Sequence, residues 1–137
     1  MKWTNGRLVI SDSIDDLDVQ QVFKLLKRTY WAPRRPFTVV EKMIKHSLCF
    51  SLLDGDAQVG FGRVVTDYAV FSWVADVIIE LAYRRRGLGK WMMNCIIDHP
   101  DLRGTQFVLQ TRDAHALYER YGFAQNAALM STSVMGL

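Results

Sequence analysis

Tyr83-Arg84-Arg85-Arg86-Gly87-Leu88-Gly89-Lys90 joins an apolar run, Val77-Ile78-Ile79, to a segment in which Leu88, Trp91, Met92, Cys95 and Ile96 recur at helical spacing. A strand that turns into a helix through two glycines leaves successive backbone amides at a helix N-terminus, where unpaired N–H groups and the helix dipole stabilise an anion. Gly87 and Gly89 remove side chains that would hold phosphate oxygens off the backbone, and Arg84, Arg85, Arg86 and Lys90 lower the cost of bringing negative charge close. The lysine-serine or lysine-threonine ending of a P-loop is missing, and no GxGxxG fingerprint follows an early strand, so neither nucleotide motif fits. Taken alone, such a turn also reads as a helix start flanked by solvated arginines.

Upstream of this loop the pattern is that of strands: residues 48–53, a tight turn at Asp54-Gly55-Asp56, residues 58–66, then residues 71–80. Within the last of these, Val77-Ile78-Ile79 is apolar on both faces, as expected where helices cover a sheet on either side. Further upstream, a short strand at 7–10 precedes an acidic stretch, 12–18, suited to the positive end of a helix dipole. Val19, Val22, Phe23, Leu26 and Tyr30 then mark one helical stripe. Trp31-Ala32-Pro33-Arg34-Arg35-Pro36 breaks that helix, and the spacing of Thr38 and Glu41 predicts a capping box for a short second helix ending near His46.

Downstream, Asp98-His99-Pro100 stops the main helix, and residues 106–110 read as a central strand. Asp113 is the expected N-cap of a helix over 114–121, closed by Gly122 in the left-handed conformation. Two short strands are expected within 123–134. The whole order predicts a mixed α/β layer in one domain, residues 1–137.

At 137 residues the chain is long enough for one good core, and half of it is hydrophobic. The net charge of +3 comes from 17 basic residues that are unevenly spread, with a cluster at 84–90 and a smaller spot at Arg34 and Arg35. One tight basic turn suits a compact anion. Nucleic acid is not expected as a partner, because sequence-independent phosphate binding needs an extended basic stripe. Cys49 and Cys95 each sit in apolar runs and read as buried thiols. No secretory h-region and no membrane-length apolar run is seen, so no membrane association and a cytoplasmic location are expected.

Residues 84–89 match the pattern Arg/Gln-x-x-Gly-x-Gly/Ala, and in this the chain resembles the Gcn5-related N-acetyltransferase (GNAT) family. A second segment, Ala114-His115-Ala116-Leu117-Tyr118 followed by Gly122-Phe123, resembles that family's late helix, Ala-x-x-Leu-Tyr followed by Gly-Phe. The likeness is good over 48–124 and extends to the N-terminal helices only in their order. It implies an acyl-CoA N-acyltransferase fold, with a mostly antiparallel central sheet splayed at the coenzyme and helices on both faces. It further implies acetyl-CoA as co-substrate, its pyrophosphate held by Arg84, Arg85, Arg86, Gly87, Leu88, Gly89 and Lys90. The backbone of Val77, Ile78 and Ile79 would pair with the pantetheine arm. Two positions depart from the family: Leu81 replaces a frequent proline, and Thr111 stands where relatives often place an asparagine near the coenzyme.

By the same resemblance the Tyr118 phenol would lie near the coenzyme sulfur and protonate the departing thiolate; an amphipathic tyrosine on a helix is the plainer reading. Asp76 and Glu80 alternate onto one face of their strand and are the candidate bases, though Asp76 could instead pin a neighbouring loop by hydrogen bonds, Glu80 could pair with an arginine of the loop, and a water relay could replace both. Tyr30, Trp31 and Arg34, with Arg35, lie in the segment that borders the acceptor groove in the family, and favour an acceptor with an apolar or carboxylate portion. His46, His99 and His115 lack the spacing of a metal site, and none is expected. The function expected is acetyl transfer from acetyl-CoA to a primary amine, of a small molecule or a peptide, by direct attack. The alternative is a coenzyme-binding regulatory module without turnover. A homodimer is left open.

Overall fold

A computed structural model describes residues 1–132. The chain opens with a hairpin of β1 (Lys2–Asn5) and β2 (Leu8–Ser11), which turns at Gly6 and sets Trp3 opposite Ile10. Only one strand, at 7–10, is expected there from sequence. β1 carries a single large apolar residue, Trp3, so cross-strand pairing rather than alternation makes it a strand. Asp18 caps α1 (Val19–Lys27), its carboxylate accepting from the Gln21 amide at 3.2 Å. Because α1 ends at Lys27, Tyr30, expected as the last member of its apolar stripe, lies beyond the helix and is exposed.

α2 (Phe37–Lys45) starts directly after Pro36, and the expected capping box does not form. Thr38 is already inside the first turn. The entering chain is set instead by Pro36, whose carbonyl accepts from the amides of Val39 and Val40, both at 3.0 Å.

β3 (Leu48–Asp54), β4 (Ala57–Thr66) and β5 (Phe71–Ile79) continue the antiparallel sheet. After α3 (Leu88–Ile97) comes β6 (Gln106–Leu109), which pairs parallel to β5, and then α4 (His115–Glu119). The sheet has six strands in the order β1-β2-β3-β4-β5-β6. β6 is therefore its edge among the described residues, not a central strand as expected. No strand forms over 123–132, where Asn126 turns the chain by accepting from the amides of Ala128 and Leu129. The remainder of the expected terminal strands, through Val134, lies outside the described residues.

Helices cover both faces. α1 and α2 bury Val22, Leu25, Leu26, Val40 and Ile44 against Phe61 and Ile78. On the opposite face α3 packs Met92 and Ile96 with Phe50, Leu52 and Val64. Gly62 permits that approach: a Cβ there would lie 2.9 Å from Met92 Sδ. Phe50 and Phe61 are fully buried, each contributing about 2 kcal/mol by the area it removes from water.

The splay follows from β5. Its pairing with β6 covers only Phe71 to Val74, while the strand itself runs to Ile79. At Asp76 the backbone takes φ +53°, and the register with β4 slips between Phe61 and Arg63. Such a bulge bends the strand and re-aims its side chains. Beyond it, Ile78 and Ile79 pair with Phe61 and Gly60 of β4, and among the described residues Val77 to Ile79 have no strand partner on the other side.

Candidate active site

The segment after β5 begins with a 3-10 turn, Leu81–Tyr83, and is tied to the rest of the sheet by Tyr83. The Tyr83 hydroxyl donates to Asp54 Oδ2 at 2.6 Å, and Arg7 holds the other oxygen of that carboxylate. The Tyr83 hydrogen bond is the main cause that keeps the Asp54 carboxyl below its ordinary value, and the same bond raises the Tyr83 phenol. The Arg86 guanidinium lies 5.0 Å from the centroid of the Tyr83 ring, and Arg84 Nε donates to the Ile79 carbonyl at 2.9 Å.

Arg85 at φ +66° and Gly87 at φ +75° curl this loop through the left-handed region. Gly87 is the N-cap of α3 and supplies no side-chain cap, so the first-turn amides of Leu88, Gly89 and Lys90 are left as donors at the positive end of the dipole. The Leu88 side chain is in the core, which leaves only its amide for a ligand. A Cβ at Gly87 would meet nothing within 4 Å, and one at Gly89 only Ile79 Cγ1 at 3.9 Å, so the space before these amides is open. The cradle fits a phosphate-bearing coenzyme.

Where β5 and β6 diverge, a cleft of about 670 Å³ opens between the loop after α1 and the loop before α4, lined by Tyr30, Trp31, Asp76, Thr111, Arg112 and Tyr118 among others. Tyr118 is half-buried and meets Phe123 edge-on at 6.0 Å. Burial first, and then repulsion from Tyr30, Tyr121 and Asp113, raise its phenol above the ordinary value. α4 is positioned by Thr111, whose Oγ1 accepts from the Ala114 amide at 3.0 Å. The expected cap by Asp113 is absent, because the helix starts at His115 and its N-cap, Ala114, has no side-chain acceptor. Gly122, at φ +89°, ends the helix as expected, and Phe123 N donates to the Tyr118 carbonyl at 3.3 Å.

Asp76 and Glu80 both face the α1–α2 layer. Asp76 Oδ1 accepts from Trp31 Nε1 at 2.8 Å, and Oδ2 accepts from Arg35 Nη1 at 2.8 Å and Arg63 Nε at 2.6 Å. The Asp76 side chain is 0% exposed and both arginines only 10%. Glu80 pairs at 4.0 Å with Arg28, at the end of α1, rather than with the arginines of the loop at 84–90. Arg34 is exposed; its neighbour Arg35 is the one that reaches the site. Arg63 and Arg112 were not legible as site residues. Arg63 sits in a strand with no motif, and only a buried carboxylate opposite it explains its burial.

Cys49 and Cys95 are buried thiols as expected, pushed up by burial to about 12 and about 11. His99 is buried between Trp3 and Phe50 and bonded to Asp12 at 2.7 Å, His46 caps the end of α2, and His115 begins α4. Among the described residues no group of three or more His, Cys, Asp or Glu side chains is arranged to hold a metal ion, and no helix is long and apolar enough to cross a membrane.

The sequence profile of the acetyltransferase (GNAT) domain matches residues 45–125. A crystal structure from Xanthomonas campestris pv. campestris, of a protein assigned to the GNAT family, is 39% identical with TM-score 0.89 and 95% of each chain covered. A GNAT-family protein of Streptococcus pneumoniae shares the fold at 24% identity, with TM-score 0.71, over 95% of this chain and 96% of that one. A histone acetyltransferase of Glycine max is 28% identical over 101 residues, 65% of this chain and 43% of that protein. The match to a Gibberella zeae protein assigned as an acetyltransferase is 25% over 114 residues, 69% of this chain and 64% of that protein. The chain thus spans less than two thirds of the length of these two relatives.

Proposed function

The chain belongs to the GNAT acetyltransferase family, and on that premise we propose that it transfers an acetyl group from acetyl-CoA to a primary amine by direct attack. The observation that carries the proposal is the free stretch of β5, Val77 to Ile79, lying between a left-handed amide loop and the cleft that Tyr118 lines.

Acetyl-CoA, when bound, supplies the acetyl group as an activated thioester. The amides of 87–90 with Arg84, Arg85, Arg86 and Lys90 hold its pyrophosphate, and the peptide groups of Val77, Ile78 and Ile79 take the pantetheine arm as a further strand would be taken. Tyr118 gives its proton to the departing sulfur. Its raised phenol stays protonated throughout the neutral range, as a general acid must. Thr111 fixes the helix that carries Tyr118, and its hydroxyl hydrogen remains available to the coenzyme.

A base needs a lone pair that the amine proton can reach. The Asp76 side chain is fully buried and its carboxylate is held by Trp31, Arg35 and Arg63, so it serves as the anchor of the acceptor wall and not as the base. The amine proton leaves through water in the cleft, which Glu80, paired with Arg28, does not line.

The test is release of free thiol from acetyl-CoA with a panel of amines. Release that requires an amine supports the enzyme; coenzyme binding with no amine-dependent release across the panel supports the regulatory module instead.

A further inference from the structure

We propose that Arg112 reads a carboxylate on the acceptor, so that the amine taken by this cleft carries a carboxylate group. The inference rests on the acetyl-transfer reading above and names its substrate class.

Arg112 belongs to the loop between β6 and α4, and its guanidinium lies 3.8 Å from the centroid of the Tyr30 ring in the loop after α1. Both residues line the cleft, so this contact joins its two walls. A guanidinium stacked on a ring face is held flat while its N–H donors point outward in their own plane. Stacking therefore leaves the forked edge available for two parallel bonds to an oxyanion.

Among the described residues no carboxylate lies within ion-pair distance of Arg112. Asp113, the next residue in the chain, lines the same cleft and forms no such pair, and Asp76 is already held by two arginines. Arg112 is thus a permanent cation whose position is set by an aromatic ring and whose charge has no carboxylate partner in the described fold. Beside it Tyr30 meets Trp31 edge-on at 5.0 Å, and Trp73 lines the cleft as well. A carboxylate for the fork and an apolar group for the rings complete the surface.

The coenzyme also carries oxyanions, and the experiment separates the two sources. Phenylalanine, phenylalaninamide and phenethylamine share a ring and an amine and differ in the carboxylate. Each is assayed as acceptor with acetyl-CoA, and each is tested for raising the melting temperature, using the wild type, Arg112→Gln and Arg112→Lys. The amide has the less basic amine, so unassisted chemistry favours it and a preference for the acid must come from binding. We expect kcat/KM for phenylalanine to exceed that for phenylalaninamide by about tenfold or more, from one charge-assisted bidentate contact. Arg112→Gln should abolish the ratio with KM for acetyl-CoA unchanged, and Arg112→Lys should keep part of it.

Equal use of acid and amide by the wild type overturns the proposal. So does an Arg112→Gln variant that raises KM for acetyl-CoA while the amine ratio stays put, since the anion read is then the coenzyme's. If none of the three yields thiol but phenylalanine alone stabilises the wild type and not Arg112→Gln, the carboxylate site stands, and acetyl transfer falls only if the wider amine panel also yields no thiol. Absence of both release and stabilisation with these three overturns the carboxylate site, while release with other amines of the panel leaves acetyl transfer standing.

Discussion

Trp31 and Asp76 are joined by a 2.8 Å hydrogen bond from the indole Nε1 to Oδ1, although 45 residues separate them in the chain. The bond ties the loop after α1 to the bulge of β5. With Arg35 and Arg63 on the second oxygen, that loop and the bent strand become one mechanical unit.

Removing one member of that unit should separate stability from binding. Asp76→Asn keeps an acceptor for Trp31 but leaves two nearly buried guanidinium groups without their counter-ion, a loss of about 3 kcal/mol and of order 10 °C in melting temperature. Trp31→Phe forfeits one hydrogen bond, about 1 kcal/mol, and should raise KM for the amine more than KM for acetyl-CoA. Equal changes in both KM values for Trp31→Phe would return Trp31 to a purely structural role.

Gly89→Val should abolish the stabilisation by acetyl-CoA and leave the fold intact. The new Cβ has only an ordinary contact with Ile79 to make, but the branched side chain stands over the first-turn amides of α3. The readout is thermal denaturation with and without acetyl-CoA; an undiminished shift would remove the loop from the coenzyme site.

Tyr118→Phe should retain coenzyme binding and lower turnover by about 100-fold or more, with a smaller loss for an acyl donor whose leaving thiol is more acidic. The pH profile carries the same signature. The folded phenol is raised above 10.0, so the proton-bearing form persists below that value and the alkaline limb of kcat falls only as pH rises through the raised one. That limb should vanish in Tyr118→Phe.

Thr111→Val removes the acceptor for the Ala114 amide and should cost about 1 kcal/mol in stability, whereas Thr111→Ser should retain the bond. Because α4 carries Tyr118, turnover should drop in the valine variant and not in the serine one. Steady-state kinetics beside urea unfolding of both variants checks the pairing.

Tyr83→Phe breaks the bond between the coenzyme loop and Asp54. A several-fold weaker acetyl-CoA affinity is expected by calorimetry, with KM for the amine unmoved. No change would mean that Arg84, through the Ile79 carbonyl, holds the loop alone.

Local patterns were enough for the hairpin of β3 and β4, the loop at 84–90, the start of α3 and the left-handed stop at Gly122. Each depends on residues within a few positions of one another: Asp-Gly in a turn, glycines before a helix, apolar residues at helical spacing. The same locality explains the failures. Thr38 and Asp113 have the right neighbours for caps, but the helices begin where Pro36 and Thr111 make them begin.

From sequence alone came the strand-to-helix loop, the late helix with Tyr118 and the layered α/β class, because glycine placement and apolar period act through adjacent backbone. Tertiary structure alone decided that β6 is an edge, that Arg63 and Arg35 converge on Asp76, and that Arg112 stacks on Tyr30. Those partners lie 13 and 41 residues from Asp76, on elements brought together by strand order and by the bulge at φ +53°. A charged side chain finds such a partner only after the apolar faces have packed and removed the water that would otherwise have solvated it.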